Sequence, residues 1–89
     1  MAGVAIEFGG LPELLLIECR VIGRHGADSR LVRRPLAGLG LPRGILVAAL
    51  KRRDEIMVPG GADQIQPGDS VLFITTSDRT ARLDPFLGG

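Results

Sequence analysis

Apolar residues dominate the stretch Leu14–Ile22, and its second half alternates between apolar and polar side chains. Ile17, Cys19 and Val21 fall on one face of an extended chain, and the polar residues Glu18 and Arg20 alternate with them on the other face. This pattern predicts a strand that runs from a buried centre to a half-exposed edge of a sheet.

The segment before this strand has a different character. It contains Gly9-Gly10 and then Pro12, which interrupt regular structure. We predict a tail or linker over residues 1–13, with room for a short strand at Val4–Phe8. The folded domain is then residues 14–87.

A short helix is predicted at Pro35–Leu39. Pro35 suits the first helical position, where a missing N–H group is no loss, and Leu36 and Leu39 lie three residues apart on one face. Gly40 supplies the stop. A helix this short depends on packing against the rest of the domain.

Two apolar runs around a polar tip predict a β-hairpin. Ile45–Leu50 is continuously apolar, Lys51–Asp54 is polar and Glu55–Val58 is the return strand, so we expect a turn of about four residues. The adjacent carboxylates Asp54 and Glu55 are interpreted as a solvated tip rather than an acid–base pair, because charged residues at such tips are mostly exposed.

The next signals are a turn and a strand. Gln66–Asp69 has Pro and Gly at its two central positions, as a type II turn prefers. We expect the Asp69 carboxylate to accept backbone N–H groups and fix this turn. Ser70–Thr76 then alternates, which places Val71 and Phe73 on one face.

A last helix is predicted from Ser77 or Asp78, either of which can cap it, to about Leu87. Asp84-Pro85 interrupts it, since the residue before proline avoids helical geometry. The order strand, helix, hairpin, strand, helix predicts an α+β domain with a small antiparallel or mixed sheet and helices packed against it. The apolar residues of the last helix are Ala81, Leu83, Phe86 and Leu87.

Composition makes the core aliphatic. The chain has 89 residues, which is the size of one domain, and only 3% are aromatic, all phenylalanine. Small domains with thin cores commonly gain stability by association. The N-terminus lacks the features of a signal peptide, and no apolar run approaches the ~18 residues of a membrane span. We therefore expect a soluble cytoplasmic protein, with the single Cys19 as a small buried side chain.

Charge is unevenly distributed along the chain. From Arg20 to Arg53 there are nine basic residues and one acid, and elsewhere two basic residues and nine acids, which gives a net charge of +1. The loop predicted at Gly23–Arg34 carries a basic cluster. Arginine suits a bidentate grip on phosphate or carboxylate, and the N–H groups of the following helix would add to it. The predicted anion-binding residues are Arg24, His25, Arg30, Arg33 and Arg34.

The simpler interpretation of this cluster is a set of solvated arginines. Other chemistries have less support. A nucleophilic triad is impossible without His25, the only histidine, and His25 with Asp28 is too small a set for a metal site. Nucleic-acid binding could use the basic stretch but lacks stacking aromatics and a basic recognition helix. We expect no catalytic residue, no metal and no nucleic-acid partner.

Several motifs, taken in order, resemble the TrkA C-terminal domain family, also called RCK-C. Leu36, Leu39 and Leu41 have the spacing of three leucines in that family. The strand at residues 44–52 resembles the family strand that ends in a basic residue before the hairpin tip. Met57-Val58-Pro59 resembles the family's Ile-Ile-Pro return strand.

Residues 65–72 add the Leu-X-Pro-Gly-Asp-X-Val-Ile signature of the same family, here written Ile-Gln-Pro-Gly-Asp-Ser-Val-Leu. The resemblance covers about Leu14–Leu87. Arg30 stands where the family often has proline and Arg33 where it often has glycine, so the predicted anion loop departs from the family pattern.

The resemblance implies a β-α-β-β-β-α order, a mainly antiparallel sheet and a homodimer. It also implies a regulatory subunit or tail of a membrane transporter or channel, and some members bind nucleotide-type ligands such as cyclic di-AMP at the dimer interface. We therefore predict a regulatory ligand-binding and dimerisation module of a cation transport system, with potassium as the leading cation. It would dimerise through the sheet and the short helix and would not insert into the membrane. The alternative is a purely structural dimerisation domain without a ligand.

Overall fold

The computed structural model describes residues 2–21, 31–32 and 34–86. The strands in this part of the chain form one antiparallel sheet in the order β1-β2-β5-β3-β4. A short 3₁₀ helix, Leu36–Gly38, precedes β3, and a C-terminal 3₁₀ helix, Ser77–Phe86, follows β5. The predicted α+β class with a small antiparallel sheet is confirmed. The strands are β1 (Ala2–Ile6), β2 (Leu14–Arg20), β3 (Leu46–Arg52), β4 (Glu55–Met57) and β5 (Ser70–Thr76).

The N-terminal hairpin places a strand inside the segment predicted as a tail. β1 pairs antiparallel with β2, with Val4 opposite Leu16. The strand spans Ala2–Ile6 rather than Val4–Phe8, because the hairpin loop takes residues 7–13 and Ile6 already pairs with Leu14. The domain boundary at residue 13 stays a prediction.

One face of the sheet is covered by loops and helices, and the other face is more exposed. We call the side that carries Val71 and Phe73 the inner face, and the side that carries Leu72 and Ile74 the outer face. Thr75 joins the inner face, and β5 alternates strictly between buried and half-buried residues. Loops and helical residues pack on the inner face. The core consists of Val21, Leu31, Val32, Leu39, Ile45, Leu50, Ile65, Val71, Phe73 and Leu83.

An irregularity in β3 sets which of its residues face inward. The pairing with β5 shifts register between Val47 and Ala49, so one additional residue reverses the alternation that follows. Leu50 is therefore buried on the inner face, Lys51 points to the outer face, and Arg52 turns inward again.

The tip of the β3–β4 hairpin is shorter than predicted. Arg52 pairs with Glu55, which leaves Arg53 and Asp54 as a two-residue loop, so the four-residue turn is wrong. Arg53 has a φ of 56°, as the first residue of a tight hairpin turn requires. Asp54 and Glu55 are exposed, in agreement with a solvated tip.

The short 3₁₀ helix holds its leucines as predicted. Leu39 is buried in the core and Leu36 packs at its edge. Pro35 precedes the helix with a ψ of 144°, so it occupies the capping position rather than the first helical one. Gly40 follows with a φ of 68°, which ends the helix as predicted.

The C-terminal helix is 3₁₀ rather than α, and its capping by Ser77 or Asp78 stays a prediction. The Glu13 N–H donates to Ser77 Oγ at 3.1 Å, so this hydroxyl joins the helix start to the start of β2. Leu83 is buried in the core, whereas Ala81 is exposed. Serine, threonine and aspartate early in the segment and a proline near its end all weaken α-helical geometry. The side chain of Phe86, and Leu87, lie outside what the structure describes.

Candidate functional site

The structure describes one of the five residues predicted to bind an anion. Arg34 is exposed and follows two core residues, Leu31 and Val32, which anchor this segment. The segment runs beside another loop through bridges from Val32 to Ile65 and from Pro35 to Gln64. The other four predicted residues, Arg24, His25, Arg30 and Arg33, lie outside the described residues.

The short 3₁₀ helix does not offer the free N–H groups expected for an anion. The Leu36 N–H donates to the Asp63 carbonyl at 2.9 Å, and the Ala37 N–H donates to the Gly61 carbonyl at 3.0 Å. Both donors are therefore used inside the domain. The expectation of free N–H groups at the start of this helix is therefore wrong.

A hollow of about 400 Å³ lies beside the short helix. The helix and the start of β3 form one wall, through Leu36, Leu41 and Leu46, and the segment from Pro59 to Gly61 forms the other. Its lining carries aliphatic side chains and glycine backbone and no charged side chain. Arg34 is two residues before this wall in the sequence and does not itself line the hollow.

A bidentate ion pair fixes the opposite end of the sheet. Arg52 Nε donates to Asp69 Oδ1 at 3.0 Å, and Arg52 Nη2 donates to Asp69 Oδ2 at 2.8 Å. The same Nη2 donates to the Gln64 carbonyl at 3.0 Å. Asp69 is only 2% exposed, so this charge is neutralised inside the protein by the geometry best suited to it.

Asp69 also organises its own turn, as predicted. The Gln66 N–H donates to Asp69 Oδ2 at 2.9 Å, and the Asp69 N–H donates to the Gln66 carbonyl at 3.0 Å. Gly68 has a φ of 93°, which a type II turn needs at this position. Burial would raise the pKa of the Asp69 carboxyl, but the hydrogen bonds from Arg52 and Gln66 and the Arg52 charge lower it below its ordinary value.

The same turn anchors the strand that leads into the predicted anion loop. The Val21 N–H donates to the Asp69 carbonyl at 2.8 Å, and the Gly68 N–H donates to the Val21 carbonyl at 2.7 Å. Val21 and Leu31, the described residues on either side of residues 22–30, are both fully buried. The described residues on both sides of the sequence that carries Arg24, His25 and Arg30 are therefore anchored in the core.

The Arg52–Asp69 pair is the site feature that sequence reasoning missed. The sequence pattern placed Arg52 in the polar hairpin tip, whereas the shift in β3 turns it inward. The only sequence signal was that Asp69 lies beside a glycine turn and that basic residues end the preceding strand. Neither says which cation reaches the carboxylate. Its role is structural, since both charged groups are occupied by each other and by backbone.

Cys19 and the acidic residues are the remaining candidates for site chemistry. Cys19 is half-buried and packs against the core. Within residues 2–21, 31–32 and 34–86, no group of three or more histidine, cysteine, aspartate or glutamate residues could hold a metal ion. In the same part of the chain, no helix has the length and apolar character needed to cross a membrane.

Comparison with known proteins identifies the domain type. A family model for the TrkA-C domain matches residues 24–88. A search of curated proteins finds no match. A solved structure described as "Structure of RCK domain with cda" superposes with a TM-score of 0.64 at 19% sequence identity, covering 81% of this chain and 96% of that one.

The structural likeness shows a shared fold, and the family match covers well over half of the chain, including the turn at Asp69 and all five predicted anion-binding residues. On these grounds, the chain belongs to the TrkA-C domain family, which comprises regulatory domains of potassium transport systems.

Proposed function

We propose that this chain is a ligand-binding and dimerising regulatory module that acts on a membrane transporter or channel for a cation, with potassium as the leading candidate. The observation that carries the proposal is the TrkA-C match over residues 24–88. This range includes the whole basic cluster and the β3–β4–β5 part of the sheet. Its place of action would be the cytoplasm, at the membrane only through its transporter partner.

The proposed ligand is an anion of the nucleotide type, held by Arg24, His25, Arg30, Arg33 and Arg34. Arg34 is exposed and lies two residues before Leu36, which lines the 400 Å³ hollow beside the short helix. Arginines would grip phosphate oxygens, and the hollow would receive a base. The similar RCK-domain structure, which was solved with cda, supports a small ligand for this fold.

Regulation requires that the ligand bind two arrangements of the dimer with different affinity. A coupling of roughly 1–3 kcal/mol is typical of such systems. The chain would then report ligand occupancy to its transporter as a change in dimer geometry. A ligand with equal affinity for both arrangements would shift nothing.

Calorimetry and thermal unfolding with cyclic di-AMP, AMP and inorganic phosphate test the ligand. We expect cyclic di-AMP to release or absorb heat and to raise the melting temperature, because a ligand that binds only the folded state stabilises it. The double variant Arg33→Gln, Arg34→Gln should bind at least about tenfold more weakly, whereas Arg43→Gln, which removes an exposed arginine outside the cluster, should bind normally.

A pH series adds a second criterion. If His25 contacts the anion, binding should strengthen as the pH falls from about 8 to 5, and His25→Gln should abolish that dependence. No heat and no thermal shift with any of the three probes would contradict the ligand part of the proposal. The alternative, a structural dimerisation domain, would then remain, and the exposed apolar residues of the sheet favour it.

A further inference from the structure

A hollow lined by arginines lies at the end of the sheet where β5 begins. β2 ends at Arg20 and β3 ends at Arg52. Both strands flank the start of β5, since Arg20 pairs with Ser70 on one side and Lys51 pairs with it on the other. The hollow has a volume of about 410 Å³ and shares no lining residue with the hollow beside the short helix. Its lining consists of Arg20, Arg52, Arg53, Gln66, Pro67, Gly68 and Asp69.

The lining of this hollow carries three cations and one anion. Asp69 is buried, and both of its carboxylate oxygens accept hydrogen bonds from Arg52. That pair is neutral, so Arg20 and Arg53 leave two positive charges in the lining without a counter-charge. Both residues are exposed, and within the described part of the chain neither forms a salt bridge. Two like charges at one depression repel each other, and an anion between them relieves that repulsion.

The fold already holds the guanidinium of Arg52 in place. Its Nε and Nη2 donate to Asp69, and Nη2 also donates to the Gln64 carbonyl. Nη1 donates to no acceptor among the described residues. The Arg52 side chain is 28% exposed, so the two N–H groups of Nη1 remain for a ligand. Because the side chain is already ordered, a contact with it costs little further conformational entropy.

The turn before β5 offers space to a ligand but no backbone donors. The N–H groups of Gln66, Gly68 and Asp69 all donate to acceptors inside the protein, and Pro67 has no N–H group. No described atom lies within 4 Å of the position that a Cβ would take at Gly68, so a ligand can approach the turn closely. Recognition therefore depends on the arginine side chains and on the exposed side chain of Gln66.

We propose that this hollow binds a small anion with two phosphate groups, of which pyrophosphate is the simplest. Arg20 projects from the end of β2 and Arg53 from the β3–β4 loop, so each can grip one phosphate group with two N–H donors. Arg52 adds a contact through Nη1. The volume of the hollow lies within the range of about 300–1,000 Å³ that is typical of small-ligand sites.

This site goes beyond the proposed function. It shares no residue with the cluster Arg24, His25, Arg30, Arg33 and Arg34, which is proposed to hold a nucleotide-type ligand. Either site can therefore exist without the other, and each is tested with its own variants.

Two-dimensional ¹H–¹⁵N NMR during a titration with pyrophosphate tests the site. Salt at about 0.15 M KCl screens contacts between exposed charges that have no specific geometry. Under these conditions we expect the backbone amides of Arg53, Gln66 and Gly68 to shift together, with a dissociation constant below about 1 mM. The amides of Gly10 and Leu11, in the β1–β2 loop at the opposite end of β2, should not shift.

Matched variants identify the side chains that bind. Arg20→Gln combined with Arg53→Gln removes both unpaired charges and should weaken pyrophosphate binding at least about tenfold. Arg43→Gln removes an exposed arginine outside the lining and should leave the dissociation constant within about twofold. Circular dichroism checks that the variants fold. If the glutamine pair does not fold, Arg20→Lys with Arg53→Lys replaces it and should still bind several-fold more weakly, because lysine lacks the two-donor grip.

The remaining comparisons define the ligand. Inorganic phosphate has one phosphate group and should bind several-fold more weakly than pyrophosphate, because it cannot reach both arginines at once. Equal affinity for the two would overturn the bridging of Arg20 and Arg53. The double variant Arg33→Gln, Arg34→Gln should leave pyrophosphate binding intact, which would support two separate sites.

Three results would overturn the site itself. The first is the absence of shifts at Arg53, Gln66 and Gly68 up to about 10 mM pyrophosphate. The second is a set of shifts that the variants of Arg20 and Arg53 leave unchanged. The third is equal weakening by Arg43→Gln, which would reduce the effect to general charge. None of these results bears on cyclic di-AMP binding, so the proposed function would stand or fall on its own test.

Discussion

The inner and outer faces of this sheet are both rich in aliphatic side chains, yet the side chains of the inner face are buried and those of the outer face are not. On β5, Phe73 is fully buried, while its neighbour Ile74, one residue on and turned the other way, is only half-buried. The difference comes from what lies above each face. Residues such as Leu31, Ile65 and Leu83 cover the inner face, so the apolar side chains there are buried on folding, whereas those of the outer face stay partly exposed.

Two buried polar residues in the described part of the chain, Asp69 and Thr75, differ in their hydrogen bonding. Asp69 has its carboxylate satisfied by Arg52 and by the Gln66 N–H. Thr75 is 1% exposed, and its Oγ1 has no hydrogen-bond partner among the described residues. The Asp69 carboxylate therefore contributes to the stability of the fold, whereas the buried Thr75 hydroxyl lowers it.

The largest effect should follow truncation of the inner face. Phe73→Ala removes the largest fully buried side chain, and we expect the free energy of unfolding to fall by about 3–5 kcal/mol. Urea denaturation measures the loss. Because a domain of this size has little stability to spare, Val71→Ala provides a milder version, with about 2 kcal/mol expected. A loss below about 1 kcal/mol for Phe73→Ala would break the distinction between the faces.

The second effect concerns the paired charge. Asp69→Asn keeps an oxygen for the Gln66 N–H but loses the charge pair, and we expect a loss of about 2 kcal/mol at pH 7, reduced by the partial exposure of Arg52. The pKa of Asp69 is lower in the folded state. Its contribution is therefore complete above the unfolded pKa of about 3.9 and is lost as the pH falls through the folded value.

Urea midpoints measured across the acid range test this pH dependence. The wild type should lose stability faster than Asp69→Asn below about pH 4, so that the two converge. Parallel curves would show that the Asp69 charge does not stabilise the fold. Asp54→Asn, at the exposed hairpin tip, serves as a control and should leave the urea midpoint at pH 7 unchanged.

The third effect should be a gain. Thr75→Val replaces an unpartnered buried hydroxyl by a methyl group of nearly the same shape, and we expect about 1 kcal/mol of added stability. Thr76→Val, the next residue but on the outer face, should give no such gain, because the Thr76 hydroxyl hydrogen-bonds the Asp78 carboxylate. Destabilisation by Thr75→Val would mean that this hydroxyl has a partner after all.

The smallest effect should come from the outer face. Leu46→Ala removes an exposed side chain, and we expect a change within about 0.5 kcal/mol when unfolding is measured at a concentration where the chain is monomeric. A loss of several kcal/mol in the monomer would place Leu46 in the core and remove the contrast.

The spacing of apolar and turn residues in the sequence was sufficient to predict elements that depend only on local pattern. It predicted β5 with its bounds, the turn at Gln66–Asp69 and the leucines of the short helix, since each depends on local spacing or on a glycine at a fixed place. At β3 it predicted a strand but not which residues face the core, because the continuous apolar run Ile45–Leu50 has no alternation. The register shift there is set by pairing with β5.

The site was less predictable than the fold because its contacts join residues that are distant in sequence. Arg52 reaches Asp69 only because the shift in β3 turns it inward, a consequence of partners that are distant in sequence. The N–H groups of the short helix are used by Asp63 and Gly61, which no local pattern indicates. The chemical type of the basic cluster could be read from the sequence, and its geometry could not.

The position of β5 in the middle of the sheet determines when this domain can form during synthesis. Residues before Ser70 hold two hairpins, β1–β2 and β3–β4. The first hairpin pairs with β5 through β2 and the second through β3, and the two hairpins do not pair with one another. Until β5 leaves the ribosome, neither hairpin has the neighbour that covers its apolar residues, and each is marginal alone. The nascent chain therefore needs protection from aggregation until its last strand is made, and the sheet then closes in a single late step.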